Sequence, residues 1–184
     1  MNYLVSFPRS GHHWLADLLT IATDGAVKHV DPYKERTFDD DTLQKNHGEL
    51  DPAAVKEGEK VVVLARDPFR CVVSRFEQMV REGDEKAASY VTLCLQYANF
   101  VQRWISRPLA GVYSFPVKIV CYEDLLMHTG GTLEEVIEFF GYDTTAVGIS
   151  EAIGTLPPKT IRRSFTQSPI ETSFGCVSEP QPKG

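Results

Sequence analysis

Residues 3–15 read Tyr-Leu-Val-Ser-Phe-Pro-Arg-Ser-Gly-His-His-Trp-Leu, and that order leaves few ways to fold. The apolar run from Tyr3 to Phe7 suits a central parallel strand, and Pro8 ends it because proline cannot donate to a strand ladder. Trp14, Leu15, Leu18, Leu19 and Ala22 then recur at helical spacing, so a helix must begin near Gly11. The first turn of that helix carries amide N–H groups without intrahelical partners, and the helix dipole adds positive potential there. Gly11 lets the backbone approach closely, Ser10 can cap or donate, and Arg9 adds a permanent cation. The stretch therefore predicts a cradle for a phosphate or a similar oxyanion.

A second unit of the same kind lies downstream. Residues 60–65, Lys-Val-Val-Val-Leu-Ala, form a continuous β-branched run of the type covered on both faces of a parallel sheet. Arg66-Asp67-Pro68 ends it, with Asp67 suited to the N-cap and Pro68 to the first helical position. Phe69, Val72, Val73 and Phe76 then repeat at i, i+3, i+4 and i+7. Strands alternating with helices predict an α/β fold: a single three-layer domain over residues 1–184, its central sheet parallel, with right-handed crossovers and helices on both faces. Ligands of such sheets sit beyond the carboxyl ends of the strands, so Arg9 and Arg66 should face one crevice.

The remaining expectations are these. Residues 27–33 give a short strand or an extended loop, and residues 34–49 form a polar, irregular loop that includes Lys45 and His47. Tyr90, Val91, Cys94, Tyr97, Ala98, Val101, Trp104 and Ile105 trace the buried face of a long helix over 86–107, stopped by Pro108. Residues 117–122 form a third strand. Thr132 and Glu135 make a capping box, followed by an apolar stripe, with Gly141 as the C-terminal cap. The residues from about 172 onward are expected to be loose.

With a formal net charge of −6, the chain does not suggest a nucleic-acid surface, and any anionic ligand has to be held by local cations and helix ends. Its 42% hydrophobic and 24% charged residues are ordinary globular values that do not suggest disorder. No apolar run of membrane-spanning length occurs and no signal segment is recognisable, so a soluble, cytoplasmic protein without membrane association is expected. Cys71, Cys94, Cys121 and Cys176 lack Cys-x-x-Cys spacing, and buried free thiols are their expected state.

The Walker A pattern is absent. Phe7-Pro8-Arg9-Ser10-Gly11-His12-His13-Trp14 instead resembles the 5′-phosphosulfate loop of the sulfotransferases that use 3′-phosphoadenosine 5′-phosphosulfate, in which an aromatic precedes Pro-Lys/Arg-Ser-Gly-Thr-Thr-Trp. Arg66-Asp-Pro-Phe-Arg-Cys-Val-Val-Ser74 resembles the same family's 3′-phosphate motif, with matching spacing from Arg to Ser. Lys45-Asn46-His47 is similar to the family's Lys-Ser/Thr-His segment, and Tyr122-Glu123-Asp124 to a feature whose Tyr approaches the adenine.

This resemblance implies a P-loop-like sulfotransferase architecture. It assigns Arg66 and Ser74 to the 3′-phosphate, and Arg9, Ser10, Gly11, His12 and His13 to the 5′ group. Trp14 and Tyr122 fall to the adenine, His47 to the general base, and Lys45 and Arg9 to charge stabilisation and donor orientation. The family's two threonines are His12 and His13 here, imidazoles that could donate if protonated beside an anion. Its late Arg-Lys-Gly segment is missing, and Arg162-Arg163 is the only candidate replacement. No carboxylate or Cys stands at ligand spacing from the His pair, so no metal is expected. The implied reaction moves a sulfuryl group to a hydroxyl or amine of a small-molecule or carbohydrate acceptor and releases 3′,5′-adenosine bisphosphate. The alternatives are a non-catalytic nucleotide-binding module and a small-molecule kinase of related P-loop fold.

Overall fold

In the computed structural model of the chain, which describes residues 1–30, 42–48, 50–83 and 89–157, the first apolar run is strand β1 (Asn2–Ser6) and leads into helix α1 (His12–Ala22). Strand β2 (Lys28–Val30) follows, then β3 (Thr42–Asn46). The β-branched run is β4 (Lys60–Ala65), feeding α2 (Pro68–Arg81). Helix α3 (Tyr90–Val101) continues through a π-helical segment, Gln102–Ser106, into the short turn α4 (Arg107–Leu109). Strand β5 (Val117–Cys121), α5 (Tyr122–Met127), α6 (Thr129–Phe140) and α7 (Ala146–Thr155) complete the described chain.

The five strands form one parallel sheet in the order β2-β3-β1-β4-β5. Because strand side chains alternate between faces, Leu4, Leu43, Val62 and Leu64 pack with the apolar sides of α1 and α6, and Ala152 of α7 joins them. Tyr3, Val5, Val61 and Val63 meet Cys71, Val72 and Met79 of α2 and Leu93, Tyr97 and Phe100 of α3 on the other face. Layering and strand direction are as the sequence predicts. Among the described residues no helix is long and apolar enough to cross a membrane.

Several local expectations are corrected. Leu43 to Asn46 belong to β3, not to a loop: Leu43 is fully buried, and the strand is inserted between β2 and β1. The α3 stripe is rotated. Leu93, Tyr97, Phe100 and Trp104 face the core, whereas Val91 is 70% exposed. Apolar residues occur all round this helix, and the Phe7 ring, 5.0 Å from Tyr97 and 6.1 Å from Phe100, selects the inner face.

Pro108 does not stop the helix; it sits in the first turn of α4, where its missing N–H is tolerated. Thr132 does not cap α6, because its own amide already donates to the His128 carbonyl at 3.0 Å and Glu135 accepts from Lys118 at 2.9 Å. Tyr122 opens α5 rather than closing β5. Helix α7 was not foreseen, since its two glycines weaken the pattern. Gly148 is required there, as a Cβ would lie 2.6 Å from the Ala22 carbonyl oxygen. Cys71 is buried, but Cys94 and Cys121 are exposed free thiols; Cys176 lies outside the described residues.

Candidate active site

The loop after β1 is a reverse turn closed by the Ser10 amide donating to the Phe7 carbonyl at 3.2 Å. Pro8 takes its second position and Arg9 its third, with Arg9 at φ 72°, a place in a type II turn where glycine is usual. That conformation turns the Arg9 carbonyl toward Arg66, whose Nη1 donates to it at 2.7 Å, while Arg9 Nε donates to Ser74 Oγ at 3.1 Å. The two strand-turn-helix units are thereby latched together at one end of the sheet, through Arg9. Ser74, on the first turns of α2, is the acceptor in that contact.

Gly11 stands at the N-cap of α1 with φ 88°, and among the described residues no side chain caps the helix. Its amides are left to an external acceptor. Ser10 does not cap; buried, it places Oγ 3.3 Å from Cys71 Sγ. A Cβ on Gly11 would lie 2.6 Å from Tyr122 Cε2, so only glycine lets the phenol ring pack on the loop. The other partners of that ring are the Arg66 guanidinium, 4.5 Å from its centroid, and the edge of Trp14 at 6.0 Å. Trp14 Nε1 donates to the Leu156 carbonyl at 3.0 Å. Tyr97 fixes the Arg66 carbonyl from below.

Strand β3 supplies the third side. Lys45 lies two residues after Leu43, on the same face, and reaches the first turn of α1 with Nζ 3.2 Å from His13 Nδ1. Lys45 is only 7% exposed, a buried cation at the carboxyl edge of the sheet. His47 follows the strand, in a bend tightened by Asn46 Oδ1 accepting from the Leu50 amide at 2.9 Å. The His12 ring lies 4.0 Å from the His47 ring and 4.2 Å from that of His13. His12 is buried with Nδ1 2.8 Å from Ser6 Oγ. Burial first, then the nearby His47, His13, Lys45 and His29 charges, push its pKa down to about 2. Without an anion beside it, His12 therefore favours the neutral form.

A cleft of about 560 Å³ collects these groups, lined by Arg9, Gly11, His12, His13, Trp14, His47, Arg66 and Tyr122. Arg75 and Gln78 of α2 also line it, joined by Arg75 Nη1 donating to Gln78 Oε1 at 3.1 Å. The sequence reading missed both, although they continue the polar side of α2 beyond Ser74. Arg162 and Arg163 lie outside the described residues.

The lining fits a nucleotide bearing two anionic ends. Arg9, the uncapped α1 amides and Lys45 stand at one point. Arg66, whose Nε is buried without a hydrogen-bond partner among the described residues, stands beside the exposed start of α2. Trp14 and Tyr122 offer aromatic surface between.

Folding also assembles what sequence spacing could not reveal: nitrogen atoms of His12, His13 and His47 all within 4.8 Å of one another. Three imidazoles at this spacing are, in their neutral forms, a competent donor set for a transition metal. The Lys45 ammonium beside His13 opposes a dication and favours an anion at this point.

Comparison with known proteins adds the following. The family model "Sulfotransferase domain" matches residues 45–156, from Lys45 through Arg66 and Tyr122 to the end of α7. The WSCD family member AAEL009094 of Aedes aegypti is 27% identical over 161 residues, an alignment covering 77% of this chain and 50% of that protein. The chain thus spans about half the length of the WSCD relatives it matches.

Among solved structures, mouse sulfotransferase SULT7A1 complexed with PAP superposes with a TM-score of 0.60 at 16% identity, covering 84% of this chain and 64% of that one. Retinol dehydratase in complex with androsterone and the inactive cofactor PAP superposes at 0.59 with 15% identity, over 84% and 63% of the two chains. At such identities these two likenesses speak for the fold, which is the P-loop-like α/β sheet described above. The family match, which spans well over half the chain, settles the rest: this chain belongs to the sulfotransferase domain family.

Proposed function

We propose that the chain catalyses sulfuryl transfer from 3′-phosphoadenosine 5′-phosphosulfate to a hydroxyl or amine acceptor, with the nucleotide in the Arg9–Arg66 cleft. The observation that carries this reading is the convergence, in one cleft, of the uncapped N-terminus of α1, two arginines from two separate strand ends, and His47. The nucleotides named in the two solved structures, both PAP, agree with it.

When bound, the donor supplies a sulfuryl group whose bond to the 5′-phosphate oxygen breaks as the acceptor oxygen bonds to sulfur, the phosphate leaving with the electron pair. The protein's share is positioning and charge stabilisation rather than covalent chemistry. Arg9, Lys45 and the first amides of α1 offset charge growing on the leaving oxygen. Arg66 holds the 3′-phosphate. Ser74, whose Oγ accepts from Arg9 Nε, has its own hydroxyl hydrogen to donate to the same phosphate.

His47 takes the acceptor proton. Imidazole, which ordinarily titrates at about 6.5, is the side chain suited to that at neutral pH. His12, its ring tilted against that of His47 and its pKa pushed down by burial, adds no competing positive charge.

The test is to measure bisphosphate affinity and single-turnover transfer for the parent and His47→Ala. Affinity should change by less than about twofold while the transfer rate drops about 10² to 10⁴-fold. Normal turnover in the variant, or parallel loss of binding and rate, places the base elsewhere. Bisphosphate binding with no transfer to any acceptor supports the non-catalytic module, and Mg-ATP binding in its place supports a kinase.

A further inference from the structure

On the far side of His47 from α1 a second cavity opens, of about 360 Å³, and it shares Pro8, His47 and Arg75 with the nucleotide cleft. Its other wall is built by α3 and the π segment. Gln96, Asn99, Phe100 and Arg103 recur there at i, i+3, i+4 and i+7, a stripe next to the one that faces the core. A polar helical stripe is usually just a solvated surface. This one faces a concavity that ends at the proposed base, and the π-helical turn that carries Arg103 is a feature common at functional sites.

Both arginines have partners on the cavity rim or along the helix. Arg103 Nη1 reaches the Gly48 carbonyl at 3.5 Å, its own carbonyl accepts from the Tyr113 hydroxyl at 2.7 Å, and Arg75 is tied to Gln78. Gly48 has φ 82° and its Cα stands so close to Phe100 that a Cβ would lie 3.0 Å from the ring, which fixes the rim beside His47.

The chemistry of this wall is selective. Two arginines and two amides line the cavity, with no carboxylate among the described residues that do so. In a chain of net charge −6 that is a local concentration of cations, set apart from the global field. An apolar hydroxyl compound would strip water from these groups and return no hydrogen bonds, at a cost in affinity. A carboxylate or sulfate would meet planar donors able to bind it bidentately.

We propose that this cavity is the acceptor subsite, and that it takes a polar hydroxyl compound carrying its own anionic group, gripped by Arg75 and Arg103 while the reacting hydroxyl points at His47. The inference rests on the sulfuryl-transfer reading. It sets the chain apart from retinol dehydratase, whose structures hold androsterone or retinol.

The experiment measures transfer from labelled donor to matched pairs: methyl glucoside against methyl glucuronide, and galactose against galactose 6-sulfate, with androsterone as the apolar member. Bisphosphate affinity is measured in parallel. The anionic member of at least one pair should show a kcat/KM at least about tenfold above its neutral partner, a difference of about 1.4 kcal/mol, and Arg103→Gln should bring that ratio close to one with bisphosphate affinity retained. The glucuronide and the sulfate distinguish a carboxylate from a sulfate site.

Preference for androsterone or for the neutral sugars overturns the subsite while leaving sulfuryl transfer intact, as does an anionic preference untouched by Arg103→Gln. Where bisphosphate binds but nothing turns over, calorimetry of the glucuronide and the 6-sulfate on bisphosphate-loaded protein decides: Arg103-dependent binding supports the subsite, and no binding overturns it. A protein that fails to bind bisphosphate overturns the parent reading itself.

Discussion

Replacing His12 by threonine should make the protein less sensitive to acid. The His12 imidazole is 4% exposed, holds Ser6 Oγ at 2.8 Å, and has its pKa lowered to about 2, first by burial and then by the His47, His13, Lys45 and His29 charges. In the unfolded chain the same group titrates near 6.5. Above that pH both states are neutral and the group is indifferent to pH. Below it the unfolded chain takes up a proton that the folded one refuses, so stability falls as pH drops from about 6.5 toward 2. One differential proton is worth about 1.4 kcal/mol per pH unit, so lowering pH from about 7.5 to about 4.5 should cost the parent roughly 2 to 3 kcal/mol through this residue alone.

Threonine removes the titrating group and, with it, that slope. It also removes buried volume, so absolute stability at neutral pH should drop by about 1 to 3 kcal/mol; the informative quantity is the difference in slope, which cancels the carboxylates common to both proteins. Urea unfolding at a series of pH values, without nucleotide, measures it. Stability curves for parent and His12→Thr that run parallel between about pH 7.5 and 4.5 would refute the neutral, buried state assigned to His12.

Arg66→Ala should weaken bisphosphate binding by roughly 2 to 5 kcal/mol, the scale for removing one member of a buried charge-assisted pair, as read by calorimetry; unchanged affinity would move the 3′-phosphate elsewhere. Gly11→Ala forces a left-handed φ on alanine and drives a methyl into Tyr122, so it should lower the thermal midpoint by the equivalent of about 1 to 3 kcal/mol and lower nucleotide affinity too, because Arg66 rests on that ring. A neutral outcome would show that Tyr122 does not lean on the loop. Arg9→Gly relieves the left-handed strain at φ 72°, so it should leave melting unchanged or raise stability by up to about 1 kcal/mol while reducing bisphosphate affinity. Lower stability with full affinity would reverse the role given to Arg9.

What could be read from the residues follows the range of the interactions involved. Both strand-turn-helix units were legible because β-branched runs, Pro8, Asp67-Pro68 and the helical spacing after Gly11 are local signals; the Asp67 cap is present, its Oδ1 accepting from the Arg70 amide at 2.8 Å. Strand β3 was missed because Thr-Leu-Gln-Lys-Asn has only one strongly apolar residue, and it becomes a strand by pairing with β1 and β2 on either side. The α3 face was misread because apolar residues occur all round that helix.

At the site, the resemblance brought out Arg9, Arg66, Lys45 and His47. It could not show that Ser74 accepts from Arg9, or that His47 returns to His12 across 35 residues of chain. Those contacts are long-range, and so is the choice of Arg75, Gln78 and Arg103 among many surface side chains.

The Arg9–Arg66 cleft should distinguish a nucleotide with a 3′-phosphate from one without. Thermal melting of the protein with 3′,5′-adenosine bisphosphate and with AMP, each at the same concentration, measures this directly. At about 100 times Kd the bisphosphate should stabilise the fold by about 2.7 kcal/mol, and AMP should do far less, because Arg66 would gain nothing from it. Equal shifts from the two nucleotides, or no shift from either, would contradict the cleft, the 3′-phosphate assignment and the proposed reaction together.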